Sequence, residues 1–407
     1  MKSKTFPYFI AIAIDAIGFT LIGPVLVPLI NQIISSSALS QHFLYGLILS
    51  LYSLGFMFGA PILGALSDIW GRKRILIIAS VGVLIGYGCY LVTLPLASLS
   101  LLILGRVITG FFAASQCTAQ AAMADISQAT QKINNIALIA AAMTMGLVLG
   151  PLAGVFLSNQ SLDLLALSKP IYIIIAVLVL NLICIMYFLK ETHRPSVLQK
   201  EIKHFNQQMH HFFNLFKNKA IFTLFAIFFL FELGWSLYYQ SLAIDLPLNL
   251  KLEPRDLGFF LSFIGICLSV ALIGLVRLLP IHIDLSKTLR YVFAIGSLAL
   301  IAQFFLSSLL WHYVLAVIIT GAVAIGYSGL ITLASHQTHK DQQGLLMGTS
   351  DSLLALAFTI TGLLAGFLSY LGAGLSLLVA AACWVAALLY VIKKKQKTQP
   401  LNAAIGR

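Results

Sequence analysis

The sequence predicts an all-α membrane protein with twelve transmembrane helices arranged as two six-helix bundles. Of its 407 residues, 60% are hydrophobic and only 9% are charged, whereas soluble domains carry about 25% charged residues. The mean hydropathy is +0.98. The apolar residues form twelve segments, each of about the 20 residues that an α-helix needs to cross a bilayer.

All twelve segments are expected to be helical, because the bilayer core offers no partners for unsatisfied backbone groups. The first follows "MKSK" and is too long for the apolar part of a secretory signal, about 7–15 residues, so we interpret it as an uncleaved span. The spans, numbered one to twelve, cover residues 6–33, 41–66, 75–94, 100–122, 134–158, 168–190, 220–247, 255–279, 288–309, 311–336, 344–370 and 372–393.

The longest polar segment, residues 191–219, divides the chain into six spans and six spans. It predicts an N-terminal bundle over residues 1–190, a cytoplasmic linker over 191–219, and a C-terminal bundle with a basic tail over 220–407. The linker's apolar residues recur at helical spacing, which predicts a helix on the membrane surface. Its histidines lack a complete ligand set, so no metal site is expected.

The basic residues predict the orientation, because short cytoplasmic loops carry an excess of Lys and Arg. With both termini in the cytoplasm, all 25 basic residues except Lys169, Lys251, Arg255 and the intramembrane Arg106 fall on the inner side. Topology thus explains the net charge of +12 without nucleic acid binding. The expected location is a bacterial inner membrane. The five cysteines lie in apolar segments and indicate no disulfide framework.

The first dense charge cluster, "LGALSDIWGRKRI", lies between spans two and three. A positive-inside loop explains its three bases but not Asp68 or the spacing of Gly64 and Gly71. Gly64, Asp68, Gly71 and Arg72 form a pattern in which the glycines allow a tight turn and close helix contact.

Three further motifs follow the pattern of this loop along the chain. Span one contains "IDAIGFTLIGPVLVPLI", and span four contains Arg106 within the membrane and Asp125 at its inner end. Small residues and a proline recur in span five. They are Gly146, Gly150, Pro151 and Gly154.

Together these motifs resemble the major facilitator superfamily, and within it the drug/proton antiporter branch, most closely the tetracycline and multidrug antiporters. The resemblance implies a cytoplasmic cluster of Asp68, Arg72 and Asp125 that latches the two halves in the outward-facing state. Asp68 would face the start of span eleven near Gly344, where an acid suits the positive end of a helix dipole. Ile69 departs from the pattern, and the loop between spans eight and nine lacks a second copy.

Four charged residues fall inside the spans: Asp15, Arg106, Glu232 and Asp351. A charge near the centre of a membrane helix costs about 2.5–3.5 kcal/mol, so these residues should face the interior, pair or accept protons. Asp15 and Arg106 lie at depths that allow a pair, although Asp15 could instead only brace helices through hydrogen bonds. Asp351 is a candidate gate or release residue.

Glu232 is the leading candidate for a carboxylate that binds a proton or substrate, unless a polar neighbour simply holds it in place. Trp235 and Tyr239 lie on its helical face and could either pack or line a cavity. Gln116 and Gln120 lie further along the face of span four that carries Arg106, and are candidate cavity residues.

The expected function is proton-coupled export of a small amphiphilic compound by alternating access, without a cofactor and driven by the proton gradient. The expected partners are protons, substrate and membrane lipid, and a monomer is expected. The alternatives are a proton-coupled importer, a dedicated metabolite or siderophore exporter, and a membrane sensor or scaffold. An enzyme is not expected, since no HExxH, GxSxG or phosphate-loop motif occurs.

Overall fold

The structure is a computed structural model that describes residues 13–14, 16–17, 38–125, 142–146, 148–150, 152, 164–192, 219–278, 284–306, 308–337, 343–372 and 374–393. Within these ranges every regular element is a helix. The helices are Ala38–Trp70 (span two), Arg72–Leu96 (three), Leu99–Ala113 and Gln116–Asp125 (four), Leu164–Phe188 (six), Lys219–Leu250 (seven), Pro254–Ile273 (eight), Leu285–Phe305 (nine), Leu309–His336 (ten), Gln343–Leu371 (eleven) and Leu375–Lys393 (twelve). A short 3₁₀ helix, Leu275–Leu278, follows span eight.

Ten of the predicted spans are present in the described part as helices long and apolar enough to cross a membrane. The predicted all-α, multi-pass fold is therefore confirmed. Most of spans one and five, the linker helix and the basic tail lie outside the described residues. Span eight ends at Ile273, earlier than predicted, because the chain tightens from Gly274 into the 3₁₀ helix.

Large apolar side chains cover the outer surface of the helices. Val270, Leu298 and Phe305 are 65%, 66% and 72% exposed. A soluble monomer rarely exposes so much contiguous apolar surface. These side chains therefore face lipid, which agrees with the membrane assignment.

The helix ends at Arg72 and Lys393 define what we call the basic end of the molecule, and those at Leu96 and Leu371 define the far end. In the first half of the chain, span two packs on span four, and span three packs on spans four and six. The backbones approach closely where spans two and four cross, because a Cβ atom on Gly110 would overlap the Tyr52 carbonyl. Lipid provides no hydrophobic force between helices, so such close contact is a main source of their association.

In the second half, Trp384 of span twelve is fully buried against spans seven and nine. Its indole Nε1 donates to the Phe231 carbonyl at 2.9 Å, and its ring stacks on Phe231 with centroids 5.6 Å apart. The indole lies against Gly234 and Gly296, where any side chain would overlap it. The hydrogen bond fixes the position of the indole ring. Because the two glycines have no side chains, they leave the space that the ring occupies.

We predict that Gly296→Ala destabilises the protein and lowers its melting temperature in detergent. Alanine is about 1 kcal/mol more favourable than glycine in a helix, but overpacking against the fixed Trp384 ring costs about 1–3 kcal/mol. Gly321→Ala is the matched control, since its nearest neighbour would be Leu275 Cδ2 at 3.6 Å. Gly321→Ala should leave stability unchanged or raise it, and equal melting temperatures for the two variants would contradict the packing argument.

Candidate functional site

Two acidic side chains on different helices of the second half form the first part of the candidate site. Glu232 of span seven is 1% exposed, and its carboxyl group interacts electrostatically with that of Asp351 in span eleven. The phenol of Tyr327 in span ten interacts with both acids. Glu232 Oε2 has no hydrogen-bond partner within the described part of the chain. Within the described residues no basic side chain interacts with these two acids, so their charges repel when both are ionised.

Asp351 also contacts the first half of the chain. Its Oδ2 lies 3.9 Å from Cys117 Sγ in span four. The α-helical ladder of span four is interrupted just before this cysteine, where Cys117 N donates to the Ala114 carbonyl three residues back. The acid pair therefore sits at the boundary between the two halves.

On the far-end side of the acid pair, polar side chains link span seven to span eleven. Gln240 Nε2 donates to Thr361 Oγ1 at 2.7 Å and to the Phe358 carbonyl at 3.1 Å. Ser236 Oγ lies 2.9 Å from the same Thr361 oxygen. These bonds satisfy buried polar groups that lipid could not satisfy, and they hold the two helices together beside Glu232.

Aromatic side chains border the acid pair. The Trp235 ring lies 5.8 Å from that of Tyr239, centroid to centroid. The Tyr239 hydroxyl interacts electrostatically with that of Tyr45 in span two. The face of span seven that carries Glu232 therefore lies next to the first half of the chain.

Arg106 lies buried in the first half, with 2% of its surface exposed. Its guanidinium carbon is 5.8 Å from the centroid of the Tyr52 ring, a cation–π contact. Tyr90 hydroxyl and Thr109 Oγ1 are 2.8 Å apart, and Thr109 itself donates to the Gly105 carbonyl. Within the described residues, Arg106 Nε and Nη2 have no hydrogen-bond partner. Asp15, the predicted partner, lies outside the described residues.

The two halves meet closely at the far end. A Cβ atom on Gly46 of span two would overlap the Gly362 carbonyl of span eleven. The Gly362 position is in turn enclosed by Ser50 and by Gln240 Oε1. A second contact joins spans five and eight, where Ser262 Oγ donates to the Val148 carbonyl at 2.9 Å. The described far end is thus closed by two pairs of helices.

At the basic end, a tight turn joins spans two and three. Gly71 has a φ of 93°, which glycine adopts readily and other residues rarely do. The Glu191 carboxylate, just after span six, accepts the backbone N–H groups of Arg72 at 2.8 Å and Lys73 at 3.2 Å. A carboxylate at a helix N-terminus satisfies orphan N–H groups and favours the dipole.

The predicted latch can be followed only in part. Arg72 is buried and its Nη1 donates to Ser67 Oγ. A Cβ atom on Gly64 would meet no described atom within 4 Å, so close helix packing at that residue is not seen in the described part. Asp68 and Asp125 lie in helices, but their side chains are outside the described residues. The latch stays a prediction.

The remaining predicted site residues lie in spans four and five. Gln116 begins the helix Gln116–Asp125 and is half-buried, whereas the side chain of Gln120 is not among those described. Gly146 packs on Ala16 of span one, and Gly150 is buried. Pro151 and Gly154 lie outside the described residues.

Sequence reasoning missed Tyr327, Cys117, Gln240 and Thr361 as neighbours of the acids. Gln240 could have been found, because it follows Glu232 by eight residues and so shares its helical face. The other three come from different spans, and no spacing in the sequence connects them to Glu232.

A sequence profile of the Major Facilitator Superfamily matches residues 8–357. The chain belongs to the Major Facilitator Superfamily. It is therefore a membrane transporter and not an enzyme. Tetracycline resistance protein class H of Pasteurella multocida is 27% identical over 404 residues, 95% of each chain. The class C protein of Escherichia coli is 28% identical over 352 residues, 86% of this chain and 85% of that one.

Solved structures agree with the superfamily fold. The human organic anion transporter MFSD10 (TETRAN) matches with a TM-score of 0.73 at 19% identity, covering 96% of this chain and 99% of its own. The xylose transporter XylE of Escherichia coli matches with a TM-score of 0.71 at 14% identity, covering 98% of this chain and 99% of its own. At these identities the likeness shows the fold alone.

We predict that Gly46→Leu opens the far end of this superfamily member, because the side chain would push span two away from the Gly362 carbonyl. Spin labels at Leu96→Cys and Leu371→Cys, two exposed far-end positions on opposite halves, would report the change. With the five native cysteines replaced by serine, electron–electron resonance should give a longer distance. Gly88→Leu is the control, since its Cβ would meet nothing within 4 Å. An unchanged distance in Gly46→Leu would contradict the closure.

Proposed function

We propose that this transporter is a proton-coupled antiporter that exports a small amphiphilic compound by alternating access. The observation that supports this most is the interacting pair of Glu232 and Asp351 at the boundary between the halves. A buried charge in a membrane protein is costly, and residues that bear that cost are commonly found in ion and proton pathways.

The acid pair provides a simple means of coupling. Two nearby carboxyl groups in a low-dielectric site repel when both are ionised, so a shared proton stabilises the closed cavity. Water or a cationic group entering the open cavity would stabilise the ionised pair and displace that proton. Proton and substrate would then compete for one site, and competition at a single site produces exchange.

The proposed orientation places the basic end in the cytoplasm, as the positive-inside rule requires. The far end, closed by the Gly46 and Ser262 contacts, would then face outward. In this arrangement the acid pair is expected to be reached from the cytoplasm. Asp68, Arg72 and Asp125 would latch the basic end during the opposite half of the cycle.

The substrate class follows from the residues around the pair and from the relatives. Trp235 and Tyr239 give apolar, aromatic surface beside two acids, which suits an amphiphilic compound with a polar or cationic group. The names of the relatives from Pasteurella multocida and Escherichia coli refer to tetracycline resistance. Tetracycline is therefore the first compound to test, followed by amphiphilic cations that raise the melting temperature.

We predict that Glu232→Gln abolishes pH-driven export, because glutamine copies the protonated acid and cannot release a proton. The measurement is efflux of tetracycline, or of a compound that stabilises the protein, from reconstituted vesicles under an imposed pH gradient. Exchange of labelled for unlabelled compound without a gradient should persist in the variant. Loss of pH-driven efflux together with retained exchange would separate coupling from binding.

Glu253→Gln is the matched control, because Glu253 is an exposed carboxyl at the start of span eight that caps no backbone group. It should export at the wild-type rate. If Glu232→Gln keeps the full pH-driven rate, Glu232 is not the coupling residue and Asp15 becomes the leading candidate. Accumulation of the compound along with protons, in place of exchange, would indicate an importer.

A further inference from the structure

A separate cavity of about 300 Å³ lies inside the C-terminal half at the far end. Residues of spans seven, nine, ten and twelve line it, and apolar side chains such as Leu242, Leu246 and Leu377 form its walls. Four buried polar residues also line it: Ser241, whose hydroxyl donates to the Tyr238 carbonyl, and Asp245, Gln303 and His312. Small-molecule sites have this composition, with apolar walls and a few placed polar groups.

Asp245 is 5% exposed, although no arginine or lysine is among the described residues that line the cavity. Its Oδ1 accepts the Ser369 hydroxyl at 2.6 Å, and the backbone N–H of Gly374 also interacts with the carboxyl group. Its Oδ2 has no hydrogen-bond partner within the described residues. One oxygen of the acid is therefore held in place, and the other can accept from a ligand.

Gln303 is 1% exposed, and neither atom of its side-chain amide has a hydrogen-bond partner in the described part of the molecule. The Tyr238 hydroxyl interacts with the Gln303 amide, outside the geometry of a normal hydrogen bond. A buried amide without a hydrogen-bond partner destabilises the folded protein. A group that accepts and donates hydrogen bonds inside this cavity would remove that cost.

The hydrogen bond of His312 determines which ring nitrogen is available. Its Nδ1 lies 3.0 Å from the Ser308 carbonyl. A carbonyl oxygen only accepts, so Nδ1 carries the proton of the neutral ring and Nε2 is left as an acceptor. Three residues that line one cavity thus carry potential acceptors: Asp245 Oδ2, Gln303 Oε1 and His312 Nε2.

This cavity is distinct from the acid pair. Asp245 follows Glu232 by thirteen residues on span seven, which is about 20 Å along the axis and about 140° around it. The two acids therefore lie at different depths and on different faces of the helix. Nothing in the proposed antiport mechanism uses Asp245.

We propose that the Asp245–Gln303–His312 cavity is a second binding site, which takes a small primary ammonium compound with a short apolar tail. The ammonium group has three N–H donors for the three acceptors and one positive charge for the carboxylate. The tail would pack on Leu242, Leu246 and Leu377. The volume is at the lower end for ligand sites, about 300–1,000 Å³, so only a small amine fits.

The test is isothermal titration calorimetry of n-butylammonium chloride into the full-length protein in detergent. Wild type should bind n-butylammonium more tightly than butan-1-ol, which lacks the charge, and more tightly than tetramethylammonium, which lacks N–H donors. Asp245→Asn should weaken n-butylammonium binding at least tenfold. Absence of binding to wild type, or equal binding of butan-1-ol, would show a cavity that only holds water and would overturn the proposal.

Glu232→Gln separates this cavity from the acid pair, because it should leave n-butylammonium binding unchanged. If Glu232→Gln weakens binding and Asp245→Asn does not, the probe binds at the acid pair and the second site is rejected. Should Asp245→Asn fail to fold, Gln303→Leu replaces it. Leucine has a similar volume and removes the unpaired amide, so Gln303→Leu should be at least as stable as wild type and bind the probe at least tenfold more weakly.

Discussion

The absence of water in the bilayer core is the constraint on which the rest of the structure depends. Every backbone polar group must be hydrogen-bonded within its own helix. Every polar side chain needs a partner in the protein, and one that lacks a partner is costly and commonly functional. Ser236, Gln240 and Thr361 satisfy one another across two helices. The carboxyl groups of Glu232 and Asp351 are not satisfied in this way, because they interact with each other and with no described basic residue. The cost of burying them is consistent with a group that must change its charge.

Lipid provides no hydrophobic force between helices, and this explains why glycine is found where helices meet. Helices in lipid associate through close packing, and small residues allow their backbones to approach. Within the first half, the contact between Gly110 and Tyr52 is part of a fixed bundle. Between the halves, Gly46 and Gly362 form a backbone contact surface that admits no Cβ atom. Such a surface can separate at low cost, which is what an alternating gate requires.

The number and type of the described helices could be predicted from the sequence, because hydropathy over 20 residues is a strong signal, but the early end of span eight and the break in span four could not. The buried charges could be predicted for the same reason. The partners of these buried charges could not be predicted. Glu232 and Asp351 are 119 residues apart, and their meeting depends on how spans seven and eleven cross. Asp245 lies near the far end of span seven, yet Ser369 and the surrounding leucines bury it. Burial of that kind depends on packing between four helices, so the sequence of any one helix has no periodic pattern that would indicate it.

Span seven carries both polar sites of the C-terminal half, and its geometry keeps them independent. Glu232, Ser236 and Gln240 recur every four residues and so form one stripe, which faces span eleven and the first half. Asp245 breaks that spacing and faces the interior of its own bundle, with spans nine, ten and twelve.

A rigid-body movement of one half against the other changes the surroundings of the stripe, because part of its environment belongs to the other half. It leaves the Asp245 cavity unchanged, because the spans that enclose it belong to one half. A ligand bound there would therefore have similar affinity in both states of the cycle, and by linkage it would not bias the transport equilibrium. Occupancy of that cavity would instead stabilise the C-terminal bundle itself.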